Sequence, residues 1–251
     1  MNALLKDRVV WVVGASGAIG AEIARHVARA GAIAIVSARS EGKLRALAEE
    51  ITAAGGRAEV VPVNIRSRHG VDAAAKRILE THGRIDGLVN SASVSDFGPF
   101  LEIDDAVWLE VLDTKLMGYV RTMRAALTAM SAQGAGAIVN ISGRGGRQPT
   151  ATHIPGGCAN AAVNLMDKGL ADAFAPQGVR VNTISPGPIE SDRLRELMQS
   201  AGAMSERSAK SYAKPGTPAD VAQATVWLLS DLSGHVTGVI LPVDGGATFT
   251  V

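Results

Sequence analysis

The sequence predicts an α/β fold, a doubly wound parallel sheet with helices on both faces. Two observations carry that expectation. Short runs rich in Val and Ile recur along the chain, apolar at successive positions rather than alternating. Longer Ala-rich segments with helical spacing separate them. A strand that is apolar on both sides needs a layer of helices above and another below, and parallel neighbours need long crossovers between them.

The elements follow in order. "RVVWVV" (8–13), a small-residue turn and "AIGAEIARHVARA" (18–30) form the first strand, turn and helix. "AIAIVS" (32–37) is the second strand, "GKLRALAEEITAA" (42–54) its helix, and "AEVVPV" (58–63) the third strand. "DGLVN" (86–90), "GAIVNI" (136–141), "VRVNTI" (179–184) and "GVILPV" (238–243) complete a set of seven strands. Long helices are expected over about 104–132 and 157–175, and another over "DVAQATVWLLSD" (220–231). Residues 191–216 are the least regular stretch, read as a mobile cover over a site or as a solvated helical excursion. With no repeat and no low-complexity linker, residues 1–251 are read as one domain.

Composition excludes several partners. A formal net charge of +1 with no charge runs gives no electrostatic case for nucleic acid or a membrane surface. The apolar run at the N-terminus is broken by Lys6, Asp7 and Arg8, which fits neither a signal peptide nor a membrane span. One cysteine, Cys158, fits a reducing compartment and is expected to be buried and inert. The five histidines lack metal-ligand spacing, so no metal is expected. The expectation is a cytoplasmic protein with a small-molecule substrate.

The first turn carries the strongest chemical signal. Gly14, Ser16, Gly17, Ala18, Ile19 and Gly20 lie between strand and helix, where small residues let the backbone approach a pyrophosphate. The helix behind them points its first N–H groups at the anion. With these residues, the whole chain resembles the short-chain dehydrogenase/reductase family. Its T-G-x-x-x-G-x-G motif stands here as Val13 to Gly20, with Val13 for Thr and Ala18 for the middle Gly. Its N-N-A-G appears as Asn90-Ser91-Ala92-Ser93, and its P-G-x-I-x-T as Pro186-Gly187-Pro188-Ile189-Glu190-Ser191. The ending "TPADVAQATVWLLSDLSGHVTGVILPVDGG" is close to the family's usual one.

The resemblance implies a Rossmann-type sheet and a dinucleotide held by these segments together with Asn64 and Ile65. NAD-preferring members carry an Asp at the end of the second strand; here that position is Ala38, followed by Arg39. A guanidinium without a carboxylate suits a 2′-phosphate, so NADP is favoured, while Glu41 keeps NAD possible. Asn64 is expected to meet the adenine through its amide oxygen. Family resemblance also implies a homotetramer, or a homodimer, joined through the long helices.

The family's catalytic set is Asn, Ser, Tyr and Lys, the Lys lowering the pKa of a phenol that otherwise titrates near pH 10. The resemblance places Lys115 at the Asn position and Gly143 at the Ser position, with Ser142 one residue early. Gly156 stands for Tyr and Asn160 for Lys. Two changes look reciprocal: Lys115 is expected to keep the cationic, ribose-holding role, and Asn160 a neutral hydrogen-bonding one. His153 is the candidate proton donor. Arg144 and Arg147 are candidates to clamp an acidic substrate group. The function expected is an NAD(P)-dependent oxidoreductase acting on a carbonyl, alcohol or related C=N compound in a rearranged site. Two alternatives are a catalytically inactive nucleotide- or ligand-binding protein and a non-redox reaction in the same cleft.

Overall fold

The computed structural model describes residues 3–94, 97–191 and 215–248. Seven parallel strands form one sheet in the order β3-β2-β1-β4-β5-β6-β7. They are β1 (Val9–Val13), β2 (Ile33–Ser37), β3 (Arg57–Val60), β4 (Gly87–Asn90), β5 (Gly136–Ile141), β6 (Val179–Pro186) and β7 (Ile240–Val243). The order reverses after β1: the chain moves outward through β2 and β3, then returns to place β4 on β1's other edge. That reversal opens a crevice at the carboxyl ends of β1 and β4, where a doubly wound sheet binds its ligand.

Helices cover both faces. On one lie α1 (Ala18–Arg29), α2 (Glu41–Ala53) and α7 (Pro218–Leu229); their core includes Val10, Val12, Val139 and Ile184. On the other lie α3 (Arg68–His82), α5 (Gly118–Gln133) and α6 (Ile154–Phe174), around Trp11, Ile138, Val163 and Val181. Successive strand residues serve opposite cores, as pleating requires. That is why the strands read as unbroken apolar runs.

The carboxyl halves of the central strands are different. On the α5/α6 face Asn90, Asn140, Ser142, Thr183 and Ser185 are buried polar residues, met by Thr122, Asn160, Asn164 and Asp167 from the helices. The sheet is therefore oily at its amino end and polar just beneath its ligand end.

Two of the boundaries that differ from the sequence reading bear on the site. The helix expected over 104–132 is three pieces: α4 (Asp105–Val111), a π turn at Leu112–Met117 and α5. Apolar periodicity runs through all three, so the extra residue in the turn left no mark on the pattern. Helix α6 starts three residues before the expected 157, because Pro155 suits a first helical turn. Residues 192–214 of the expected cover lie outside the described residues. Its two ends meet: Glu190 N donates to Gly216 O and Gly216 N to Pro188 O.

Candidate active site

A cleft of about 230 Å³ opens at the switch point, lined among others by Gly14, Gly17, Arg39, Asn64, Ala92 and Thr114. Gly14 has φ +87°, and a Cβ there would lie 2.5 Å from Ala92 N, so only glycine allows the turn to touch the β4 loop. Gly20 is buried against Gly14 O and lets α1 seat on the turn. Gly17 caps α1 without a side-chain hydrogen bond, and its face toward the cleft is open. The first N–H groups of α1 are thus left for an anion.

At the far wall Arg39 is exposed and pairs with no carboxylate among the described residues, whereas Glu41 is tied to Arg45 on α2. Asn64 lines the cleft, and its side-chain oxygen accepts from Arg66 N at 3.1 Å. Ile65 lines the cleft while packing on Gly118 at the start of α5. Ser16 and Ala92 also line it. Asn90 is fully buried instead, donating to Asn140 Oδ1 at 2.8 Å and accepting from Thr122 Oγ1 at 2.8 Å. Its side chain ties β4 to β5 and α5 beneath the cleft.

Ala18 and Ile19 begin α1 behind the turn. Pro186, Gly187, Ile189 and Ser191 continue the carboxyl edge past β6. Gly187 lies against Asp244, and Ile189 is buried in a bridge with Gly216.

The other end of the site is built by the π turn, the β5 loop and α6. In the π turn Gly118 N reaches back to Asp113 O. Arg121 braces this turn, with Nη2 2.7 Å from Asp113 Oδ1 and Nη1 3.1 Å from Ile65 O. Burial pushes the Asp113 carboxyl up, but hydrogen bonds from Arg121 and Arg66 outweigh it and hold it below its ordinary value. The turn carries Lys115 inward. Its side chain is buried, and Nζ donates to Ser142 O at 2.9 Å. A buried ammonium is costly to desolvate, so the fold holds it there through specific hydrogen bonds.

Ser142 directs its hydroxyl to Ile184 O at 3.3 Å, toward the main chain of β6. A Cβ built on Gly143 would lie 2.9 Å from Asn160 Nδ2. The carboxamide of Asn160 therefore fills the space into which a side chain at position 143 would project. Glycines 145 and 146 let the following turn lie on α6, Gly146 directly against the Asn160 backbone. His153 caps α6 and stacks on Phe97, centroids 4.3 Å apart and planes 12° from parallel. Gly156 is buried in the first turn. Cys158 corrects another expectation: it is exposed, because α6 turns Gly157, Ala159 and Asn160 inward and residue 158 away.

The family model described as "Enoyl-(Acyl carrier protein) reductase" matches residues 14–248. The A-factor type gamma-butyrolactone 1′-reductase (1S-forming) of Streptomyces virginiae is 34% identical over 98% of both chains. The short-chain reductase protein NovJ of Streptomyces niveus is 36% identical, covering 97% of this chain and 95% of its own. Among solved structures, a gluconate 5-dehydrogenase from Burkholderia cenocepacia, in complex with NADP and tartrate, superposes with TM-score 0.93. It is 27% identical and covers 100% of this chain and 99% of its own. The chain is a short-chain dehydrogenase/reductase.

Family membership makes it an oxidoreductase fold of the carbonyl/alcohol type. The cleft fits a dinucleotide on its own geometry. A glycine cradle, a helix start without a side-chain cap and an exposed arginine lie at the places a pyrophosphate and a 2′-phosphate would need. Thr114, missed in the sequence, belongs to this short-chain reductase's cleft. Its hydroxyl is sealed from solvent, has no partner among the described residues, and sits in a residue that lines the cavity. Its only sequence signal was its place beside Lys115.

Also missed was Asp167, whose carboxylate accepts from Asn140 Nδ2 at 2.8 Å and Thr183 Oγ1 at 2.6 Å. Burial pushes this carboxyl up to about 7, against the pull of those two bonds. Tyr119 stands one turn after Lys115 on the helix, but it is fully buried, and its hydroxyl donates to Ala92 O or Ile141 O. Burial raises its pKa far above the ordinary phenol value, with the Asp167 charge adding to the effect. It serves as a strut between β4 and β5 and is unsuited to acid–base work. No cluster of metal-ligating side chains occurs among the described residues, and none of their helices is long and apolar enough to cross a membrane.

Proposed function

We propose that this chain is an NADP-dependent oxidoreductase interconverting a carbonyl and an alcohol in a rearranged site, in which Lys115 supplies the positive charge. The observation that supports this reading is the buried Lys115 side chain, whose Nζ donates to Ser142 O next to Gly143, against which the Asn160 carboxamide packs. When bound, the dinucleotide supplies the hydride. Gly14, Ser16, Gly17 and the start of α1 hold its pyrophosphate; Arg39 takes the 2′-phosphate; Asn64 and Thr114 meet the adenosine half. Lys115 and Asn160 then face the reacting end. Asn160 Nδ2 donates to the substrate oxygen from the place a serine hydroxyl would take, and Lys115 stabilises the negative charge that grows there. His153 and Phe97 wall the entrance, and Arg144 and Arg147 favour a substrate with an acidic group.

Exchange of Lys115 for Met tests the reading. Fluorescence titration with NADPH, followed by a panel of ketones and imines, should show turnover by the native protein. The variant should lose tenfold or more in turnover or in dinucleotide affinity. Equal values for both proteins would remove Lys115 from the site. NADPH binding without oxidation across the panel would favour the alternative of a catalytically inactive ligand-binding protein.

The proposal extends to assembly and setting. Leu101, Leu109 and Leu165 are exposed near or on α4 and α6, an apolar surface suited to a second copy. Light scattering is expected to report a homotetramer or homodimer, and a monomer at micromolar concentration would refute that part. A cytoplasmic location belongs to the same reading.

A further inference from the structure

We propose that Asp167 is the proton store for the reaction, linked to the substrate oxygen by water held between α6 and β6 on Asn164, Ser185 and Asn160. This rests on the oxidoreductase reading above and supplies what that reading lacks, a source for the proton.

The geometry comes from register. Helix α6 begins at the site and runs away from it, so Asn160, Asn164 and Asp167 follow one another along its buried face. Strand β6 runs toward the site, with Thr183 and Ser185 on the α6 side and Ile184 in the opposite core. The bond from Thr183 Oγ1 to Asp167 Oδ2 pins the two elements together. Ser185, two residues nearer the site, therefore stands level with Asn164, one turn nearer the site.

Here the polar atoms lose their partners. Asn164 Oδ1, Asn164 Nδ2, Ser185 Oγ and Asn160 Oδ1 are all sealed, and none has a hydrogen bond among the described residues. The three residues are 6%, 1% and 3% exposed. Buried polar groups are seldom left dry, and a buried water takes two to four polar partners of this kind. A row of such atoms between a helix and a strand holds a file of water, ending at Asp167 on one side and at Asn160 on the other.

Asp167 suits its end of that file. Its ordinary carboxylate value is displaced to about 7, so it exchanges a proton near neutrality. The titratable groups packed around it are few. Tyr119 faces it from α5, and Lys115 from the π turn points to Ser142. Asp113 in that turn is held by Arg66 and Arg121. Strands β4, β5 and β6 offer only Asn90, Asn140, Ser142, Thr183 and Ser185 on this face. On α6 itself Lys168 pairs with Asp172 at the surface.

In the reducing direction the carbonyl carbon takes a hydride with its electron pair, and the C=O π pair moves to oxygen. That oxygen takes a proton from the water on Asn160. Each water passes one proton along, and Asp167 ends as a carboxylate that solvent later reprotonates. Oxidation reverses every transfer.

Three measurements test this. A high-resolution crystal structure with NADP bound should show ordered waters on Asn164, Ser185 and Asn160; a dry strip overturns the proposal. Infrared spectra of the NADP complex should show a protonated carboxyl band that disappears through neutral pH and is absent in Asp167→Asn; a band unaffected by that change overturns it. With NADPH and a ketone reduced by the native protein, Asp167→Asn should lower kcat at least tenfold with KM unchanged and remove the neutral limb of its pH profile. Asn164→Leu should lower kcat while the carboxyl band still titrates. A purely structural Asp167 would lower stability and leave the pH profile in place. If the limb survives in Asp167→Asn and vanishes in His153→Gln, the proton comes from His153 and the proposal fails while the oxidoreductase reading stands. A native protein that binds NADPH and turns over nothing sinks that reading, and this function of Asp167 with it.

Discussion

Asp167 shows how a single residue can pull stability and function in different directions. Its carboxyl is raised in the folded state from 3.8 to about 7. The unfolded chain therefore ionises first as pH rises. The contribution of Asp167 to stability is fully present below about pH 4, shrinks between roughly pH 4 and 7, and is gone above the folded value. A shift of this size corresponds to on the order of 4 kcal/mol at most. Asparagine mimics the neutral acid, donating to Thr183 and accepting from Asn140. The stability of the native protein relative to Asp167→Asn, measured by denaturant unfolding, should therefore fall as pH rises through that window. A constant difference from pH 4 to 8 would show that the carboxyl does not titrate there. Asp167 was not legible in the sequence, because an Asp in an Ala-rich helix reads as a solvated position. Lys115 and Asn160 were legible as a pair, but the meeting of Lys115 with Ser142 O was not, since it joins residues 27 apart through the π turn.

At the scale of elements, the π turn and the α7 start show two ways of placing side chains. The turn inserts one residue into an otherwise continuous helix, swinging Thr114 toward the cleft and Lys115 toward the β5 loop. Arg121 holds it through Asp113, and π turns often mark functional sites for this reason. Helix α7 begins in a capping box, with Thr217 and Asp220 bonded reciprocally. Thr217→Ala should destabilise the protein by about 1 kcal/mol. The melting temperature should then fall roughly 2–4 °C, as read by calorimetry, without a change in dinucleotide affinity. The helix was readable from "DVAQATVWLLSD", but its cap at Thr217 was not read; nor was the π turn, because local periodicity does not register one extra residue among apolar neighbours.

For the whole molecule, the deciding feature is the switch point and the charge around it. Arg39 lies exposed on the rim beyond the end of β2, with no ion pair among the described residues, while Arg66 beside it is neutralised by Glu110 and Asp113. Arg39→Ser should weaken NADPH about tenfold or more and leave NADH unchanged in fluorescence titration. Equal loss for both cofactors would mean that Arg39 does not read the 2′-phosphate.

The sequence by itself determined the seven-stranded sheet, its helices on both faces and the phosphate turn. These depend on apolar periodicity and on small residues at fixed local spacing, which neighbouring positions reveal. Only the tertiary structure decided that Asn90 lies under the cleft, that the Asn64 oxygen is already engaged, and that the orphaned polar atoms of Asn160, Asn164 and Ser185 lie between α6 and β6. Each depends on which face of a helix meets which face of a strand. A hydrogen bond between residues 50 or 27 positions apart, as in Asn90–Asn140 and Asn140–Asp167, is fixed by that packing and by nothing local.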